Sequence, residues 1–138
     1  MFRYSNNGLS FGAVDLDYVA EPGEVLFSDY ATPYQLTAAF SGYAKAIQSQ
    51  SQIIYTQAAQ NMLDTTVKTQ GYDGILSLAS YVGSTNPVFK AEALAGIAWR
   101  DAVWTEGYSI LAQVQAGTIA QPTITSFLAM LPQMVWPT

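Results

Sequence analysis

Residues 91–111 read AEALAGIAWRDAVWTEGYSIL. Two tryptophans, Trp99 and Trp104, stand on either side of a lone Arg100-Asp101 pair, in a chain of 138 residues of which only 11% are charged. Apolar side chains recur at helical spacing from Phe89 to about Val114, which predicts one long α-helix. On that helix Phe89, Ala93, Ile97, Trp104, Tyr108 and Leu111 fall along one stripe, while Trp99, Val103, Ile110 and Val114 form a second, rotated stripe. A surface helix needs only one. A helix with two either lies in the middle of a bundle, covered on both sides, or lends one side to another chain. On the second alternative the partner-facing residues are Trp99, Val103, Trp104 and Tyr108, joined by Trp136 of the apolar C-terminal stretch MVWPT. Large rings suit such a role because they bury area with little side-chain entropy to lose. Arg100 and Asp101 point about 100° apart on a helix, so Arg100 is expected to pair instead with Glu92 or Asp73 after folding.

Upstream, Thr32-Pro33 with Gln35 has the makings of a capped helix start. Leu36, Phe40, Tyr43, Ile47, Ile54, Ala58 and Met62 then recur at three- and four-residue intervals with one seven-residue step, giving an amphipathic helix or two helices in line. Gly42 and the run QSQSQ at 48–52 are the places where it would break. Gln70-Gly71 reads as a helix stop, Asp73 as the cap of ILSLASYV, and residues 83–87 as a loop. Gly117 ends the two-tryptophan helix, and Pro122-Thr123 opens a short final one.

The first 31 residues have a different pattern. Phe2, Tyr4, Leu9 and Phe11 alternate with polar residues around Asn6-Asn7-Gly8, the mark of a hairpin. A second hairpin is expected from VDLDYVA, the turn EPGE at 21–24, and VLFS. The predicted fold is therefore α+β, with a small β-hairpin module over residues 1–31 and a helical domain of three to five helices over 32–138. Two hairpins alone are marginally stable and need something to pack on.

Composition narrows the chemistry. The net charge is −5, and five basic residues spread over the whole chain form no stripe to follow a phosphate backbone, so nucleic acid is not an expected partner. There is no cysteine for a disulfide or thiolate and no histidine, the commonest zinc ligand and general base. No stretch approaches the roughly 18 apolar residues of a membrane span, and the N-terminus lacks the pattern of a secretory leader. Synthesis and retention in the cytoplasm is the simplest expectation.

Asp15 and Asp17 share one strand face, and Glu21 and Glu24 flank a turn, so neither pair is placed around a substrate as acid-base catalysis requires. Asp15, Asp17 and Glu21 do not have the spacing of a calcium loop. No serine sits in an S-x-x-K arrangement, and no glycine cluster resembles a phosphate-binding loop. No enzymatic activity, metal or cofactor is expected. A glycan hydrolase would require a carboxylate pair in a groove, drawn from Glu92, Asp101 or Glu106.

Residues 71–117, GYDGILSLASYVGSTNPVFKAEALAGIAWRDAVWTEGYSILAQVQAG, followed by QPTITSFLAMLPQMVWP, resemble the C-terminal region of small tailed-phage proteins described as tail-fibre assembly or tail-fibre-associated proteins. The resemblance is carried by Gly71-Tyr72-Asp73, Tyr81 with Ser84-Thr85, Phe89 before Glu92-Ala93, Trp99-Arg100-Asp101 before Trp104, Gly117, Pro122-Thr123, and Leu131-Pro132 before Trp136-Pro137. FRYSNNGLSF followed by EPGEVLFSD is similar, over a shorter stretch, to the β module that opens such proteins. The resemblance implies a chaperone-like helper that binds the distal end of a trimeric tail fibre in the host cytoplasm during assembly and in some members stays on the virion tail. It names no active residue. The competing expectation is a structural tail or fibre-tip subunit that contributes to host attachment.

Overall fold

In a computed structural model describing residues 1–138, the chain first turns back on itself at Asn6-Asn7-Gly8, whose φ angles of 50°, 56° and 83° all lie in the left-handed region. Asparagine and glycine are the residues that adopt it at least cost. The turn joins β1 (Phe2–Ser5) to β2 (Ser10–Ala13), with Tyr4 opposite Phe11. The second expected hairpin does not form. β3 (Val25–Phe27) pairs antiparallel with the free side of β1, giving the order β2-β1-β3, and Val14–Tyr18 is no strand. β1 is thereby paired on both sides, and the alternating segment joins neither outer edge of the sheet. Leu16 and Val19 are left exposed, and the Tyr18 hydroxyl donates instead to Glu24 Oε2 at 2.8 Å.

The two faces of this sheet differ. Phe2, Tyr4, Phe11 and Phe27 share one face by strand alternation. On the other, Arg3 meets Glu24 at 3.4 Å. The Glu21 N–H and the Tyr18 hydroxyl hold the Glu24 carboxyl below its ordinary range, with Arg3 adding to the effect.

Helix α1 (Pro33–Ala39) starts as its sequence predicts: the Thr32 hydroxyl accepts from Gln35 N while Gln35 Oε1 accepts from Thr32 N, a reciprocal capping box. The chain breaks at residues 40–42 and continues as α2 (Tyr43–Lys68); the QSQSQ run is helical. Two compact units result, Met1–Gln52 and Ile53–Thr138, with the division inside α2. The first extends past residue 31, where composition places the end of the β module. Ala31 N donates to the Tyr4 hydroxyl at 3.0 Å, and a Cβ on Gly8 would come within 3.0–3.3 Å of Tyr43, Phe40 and Leu36.

The second unit holds the rest of α2, α3 (Ile75–Ser80), a 3-10 turn at Tyr81–Gly83, α4 (Pro87–Gln115) and α5 (Ile124–Met130). Its core joins Ala59, Leu63 and Val67 of α2, Ile75 and Leu78 of α3, Ala93, Trp99, Val103 and Ile110 of α4, Phe127 of α5, and Leu131. On α2 the buried stripe is thus one residue on from the Ile54-Ala58-Met62 register, and Ile54 is exposed. Asp73 does not cap α3. Asp64 reaches across from α2 to accept from Ile75 N at 2.9 Å. Asn86 caps α4 and Thr123 caps α5 through their side-chain oxygens. No helix is long and apolar enough to cross a membrane.

Candidate functional site

The five residues assigned to a partner end up in three environments. Trp99 is 7% exposed and donates its indole N–H to Pro132 O at 2.8 Å, and Val103 is wholly enclosed, so both belong to the protein's own interior. Neither offers a surface for docking. Trp104 and Trp136 are half-buried and pack against the same core. Tyr108 alone stands out, 58% exposed, its ring 6.4 Å from that of Trp104. The second stripe of α4 is thus the inward one, joined by Ala93, which the helical wheel puts on the first stripe, and by Gly96, which has no side chain to register as an anchor.

A larger aromatic surface lies on the sheet. Phe11 and Tyr30 are 59% and 63% exposed, yet neither is loose. Phe11 stacks on Tyr4 at 5.4 Å, Tyr30 stacks on Phe2 at 4.2 Å, and Phe11 and Tyr30 meet edge to face at 6.0 Å. Because β2 is an outer strand, this ridge borders a row of backbone groups that no other strand pairs.

The expected partners of Arg100 are not those it finds. Its guanidinium folds back onto its neighbour, with Nη2 2.8 Å and Nε 3.0 Å from Asp101 Oδ1. A long side chain on a largely solvated face can curl in this way, and such pairs contribute little to stability. Glu92 is left without the cation expected for it. Asp101 and Glu106 do not join it in a groove either: nine and fourteen residues along one helix place them roughly 13 and 21 Å away, beyond the ~5–9.5 Å span of a catalytic carboxylate pair. No group of three acidic side chains comes together as a metal site.

Glu92 instead lines a pocket of about 190 Å³ with Gln70, Gly71, Tyr72, Tyr81 and Phe89. Three segments build it. Tyr72 follows the end of α2, where its N–H reaches back to Val67 O. Tyr81 opens the 3-10 turn, and Phe89 and Glu92 lie one turn apart on the same face of α4. The ring centroids of Tyr72 and Tyr81 are 5.5 Å apart and those of Tyr81 and Phe89 5.6 Å, with planes inclined at 67° and 73°. Inclined rings of this kind make walls. Sequence reading missed the site because its members are spread over three elements; only the Phe89–Glu92 spacing marks a shared face.

Burial pushes the Tyr72 phenol above its ordinary range, and the negative charge of Glu92 pushes it further. A proton held more tightly in the folded state stabilises the fold below the ordinary tyrosine value of ~10, and that stability is lost as pH rises through the folded value. Glu92→Gln is expected to lower the Tyr72 ionisation midpoint while leaving it above the ordinary value, since burial is the larger cause. Tyrosinate absorbance measured against Tyr72→Phe checks this; an unchanged midpoint would mean that Glu92 does not face Tyr72.

No protein-family model, curated protein or solved structure matches the chain.

Proposed function

We propose that this protein assists the assembly of a trimeric phage tail fibre, binding its distal end in the host cytoplasm while the fibre folds. The observation that carries the reading is the Phe11–Tyr30 ridge beside the unpaired edge of β2. Immature fibre ends expose apolar surface and strand edges, which associate wrongly unless covered. An aromatic ridge next to an open strand offers both complements at once: rings for the apolar surface and backbone groups for the edge. The sequence resemblance of residues 71–117 supplies the fibre as partner.

The test is co-expression with the C-terminal segment of a candidate fibre, scoring soluble trimer and retained complex on a sizing column. Phe11→Glu is expected to reduce retained complex at least about tenfold by blunting the edge with a charge. The variant's own stability should fall only by about 1 kcal/mol, the worth of one cross-strand aromatic pair. Loss of binding on Tyr108→Asp, with Phe11→Glu still bound, would move docking to α4 and sink the sheet assignment. Constant copy number in washed particles would favour the second reading, a fixed tail or fibre-tip subunit.

A further inference from the structure

Glu92 is a carboxylate that the fold encloses without giving it a partner. It is 8% exposed, and its Oε2 is the one buried side-chain oxygen that lacks a hydrogen bond. Such an atom costs the fold free energy unless something outside the chain supplies the missing donor. The chain does not do so itself: its two ion pairs are Arg3–Glu24 and Arg100–Asp101. Glu92 lines a pocket whose walls include Tyr72, Tyr81 and Phe89. Aromatic faces are negative, so three rings and a carboxylate together make a concavity that attracts cations and repels anions.

Size and hydrogen bonding define the occupant further. A pocket of about 190 Å³ is smaller than the roughly 300–1,000 Å³ of sites for drug-sized molecules, so it takes the end of a side chain or a simple amine. Oε2 requires an N–H as well as a positive charge. A quaternary ammonium brings the charge alone; a primary ammonium or a guanidinium brings both. A guanidinium is also flat, stacks on rings and keeps donors free in its plane while doing so.

We propose that this pocket binds an N–H-bearing organic cation, with an arginine side chain of a partner protein as its best-matched occupant. The guanidinium lies in the angle between the inclined rings of Tyr81 and Phe89, half-exposed at the mouth, with one of its faces on a ring, and the Glu92 carboxylate accepts its N–H. The assignment does not rest on the fibre reading; it holds for any partner that presents an accessible arginine.

The experiment is an NMR titration of the full chain with ethylguanidinium, butylammonium and tetramethylammonium chloride, following the ring signals of Tyr72, Tyr81 and Phe89. Ethylguanidinium is expected to saturate with a dissociation constant on the order of 1 mM, and tetramethylammonium to bind at least about tenfold more weakly. Glu92→Gln, which keeps the shape and removes the charge, should weaken ethylguanidinium by about tenfold or more. Phe89→Leu, at an exposed ring, should weaken it by about threefold and carries the test should the Glu92 variant unfold. A terminally blocked peptide with one central arginine that binds no more weakly than ethylguanidinium supports a partner side chain. A peptide that fails where the small ion binds overturns that source in favour of a free amine. No saturable shift with any cation, equal binding of tetramethylammonium, or unchanged affinity in Glu92→Gln overturns the proposal itself.

Discussion

Replacing Trp99 with alanine is expected to destabilise the unit of residues 53–138 by about 3–5 kcal/mol, the range for removing a large buried ring. Domains of this size are stable by only about 5–15 kcal/mol, so the variant should unfold at a much lower urea concentration. The lost ring is one part of the effect. Its indole N–H holds the carbonyl of Pro132, next to the buried Leu131, so the C-terminal stretch should loosen with it. Trp99→Phe separates the two contributions: it keeps most of the apolar contact and leaves the carbonyl unpaired, at about 1–3 kcal/mol. Urea denaturation with limited proteolysis of the C-terminal stretch measures both. If Trp99 instead served a partner, its alanine variant would lose less than about 1 kcal/mol, as surface substitutions do.

That choice between core and partner is where the sequence is ambiguous. Hydrophobic periodicity shows that α4 has apolar residues on more than one side, but it does not tell which side faces inward. Gly96 decides it, and it does so by being small. It leaves room for Leu78 of α3 on the side of α4 that carries Trp99 and Val103, while Tyr108 stays outside. The features that could be read directly are local ones. The Thr32–Gln35 capping box, the left-handed turn at Asn6-Asn7-Gly8, the glycine stop at Gly117 with φ of 74° and the Thr123 cap each depend on residues within one turn of one another. The features that could not are long-range. β3 pairs with β1 across more than twenty residues, Asp64 caps a helix eleven positions away, and Tyr72, Tyr81 and Glu92 meet only because α3 folds onto α4. The α+β class follows from the first kind of information and the pocket from the second.

The contact between α3 and α4 leads to the other large effect. Leu78 is wholly buried, so Leu78→Ala should cost about 2–5 kcal/mol. Opposite it, a Cβ on Gly96 would overlap Leu78 Cδ2 and lie 3.0 Å from Cγ. In an exposed helix interior, glycine to alanine gains about 1 kcal/mol from propensity. Here the overlap works against that gain, since an enclosed leucine has no free rotamer to move into and overpacking typically costs about 1–3 kcal/mol. Gly96→Ala alone is therefore expected to be neutral to destabilising, the reverse of its sign on a free helix face. Combined with Leu78→Ala, the new methyl enters space that the leucine has vacated, and the propensity gain returns. The double variant should then be more stable than the sum of the single effects by about 0.5–3 kcal/mol, the coupling expected of residues in contact. Equilibrium denaturation of the four proteins measures it. Strict additivity would mean that α3 and α4 do not meet at Gly96, and with that contact would go the placement of Tyr81 against Phe89 and the wall of the Glu92 pocket.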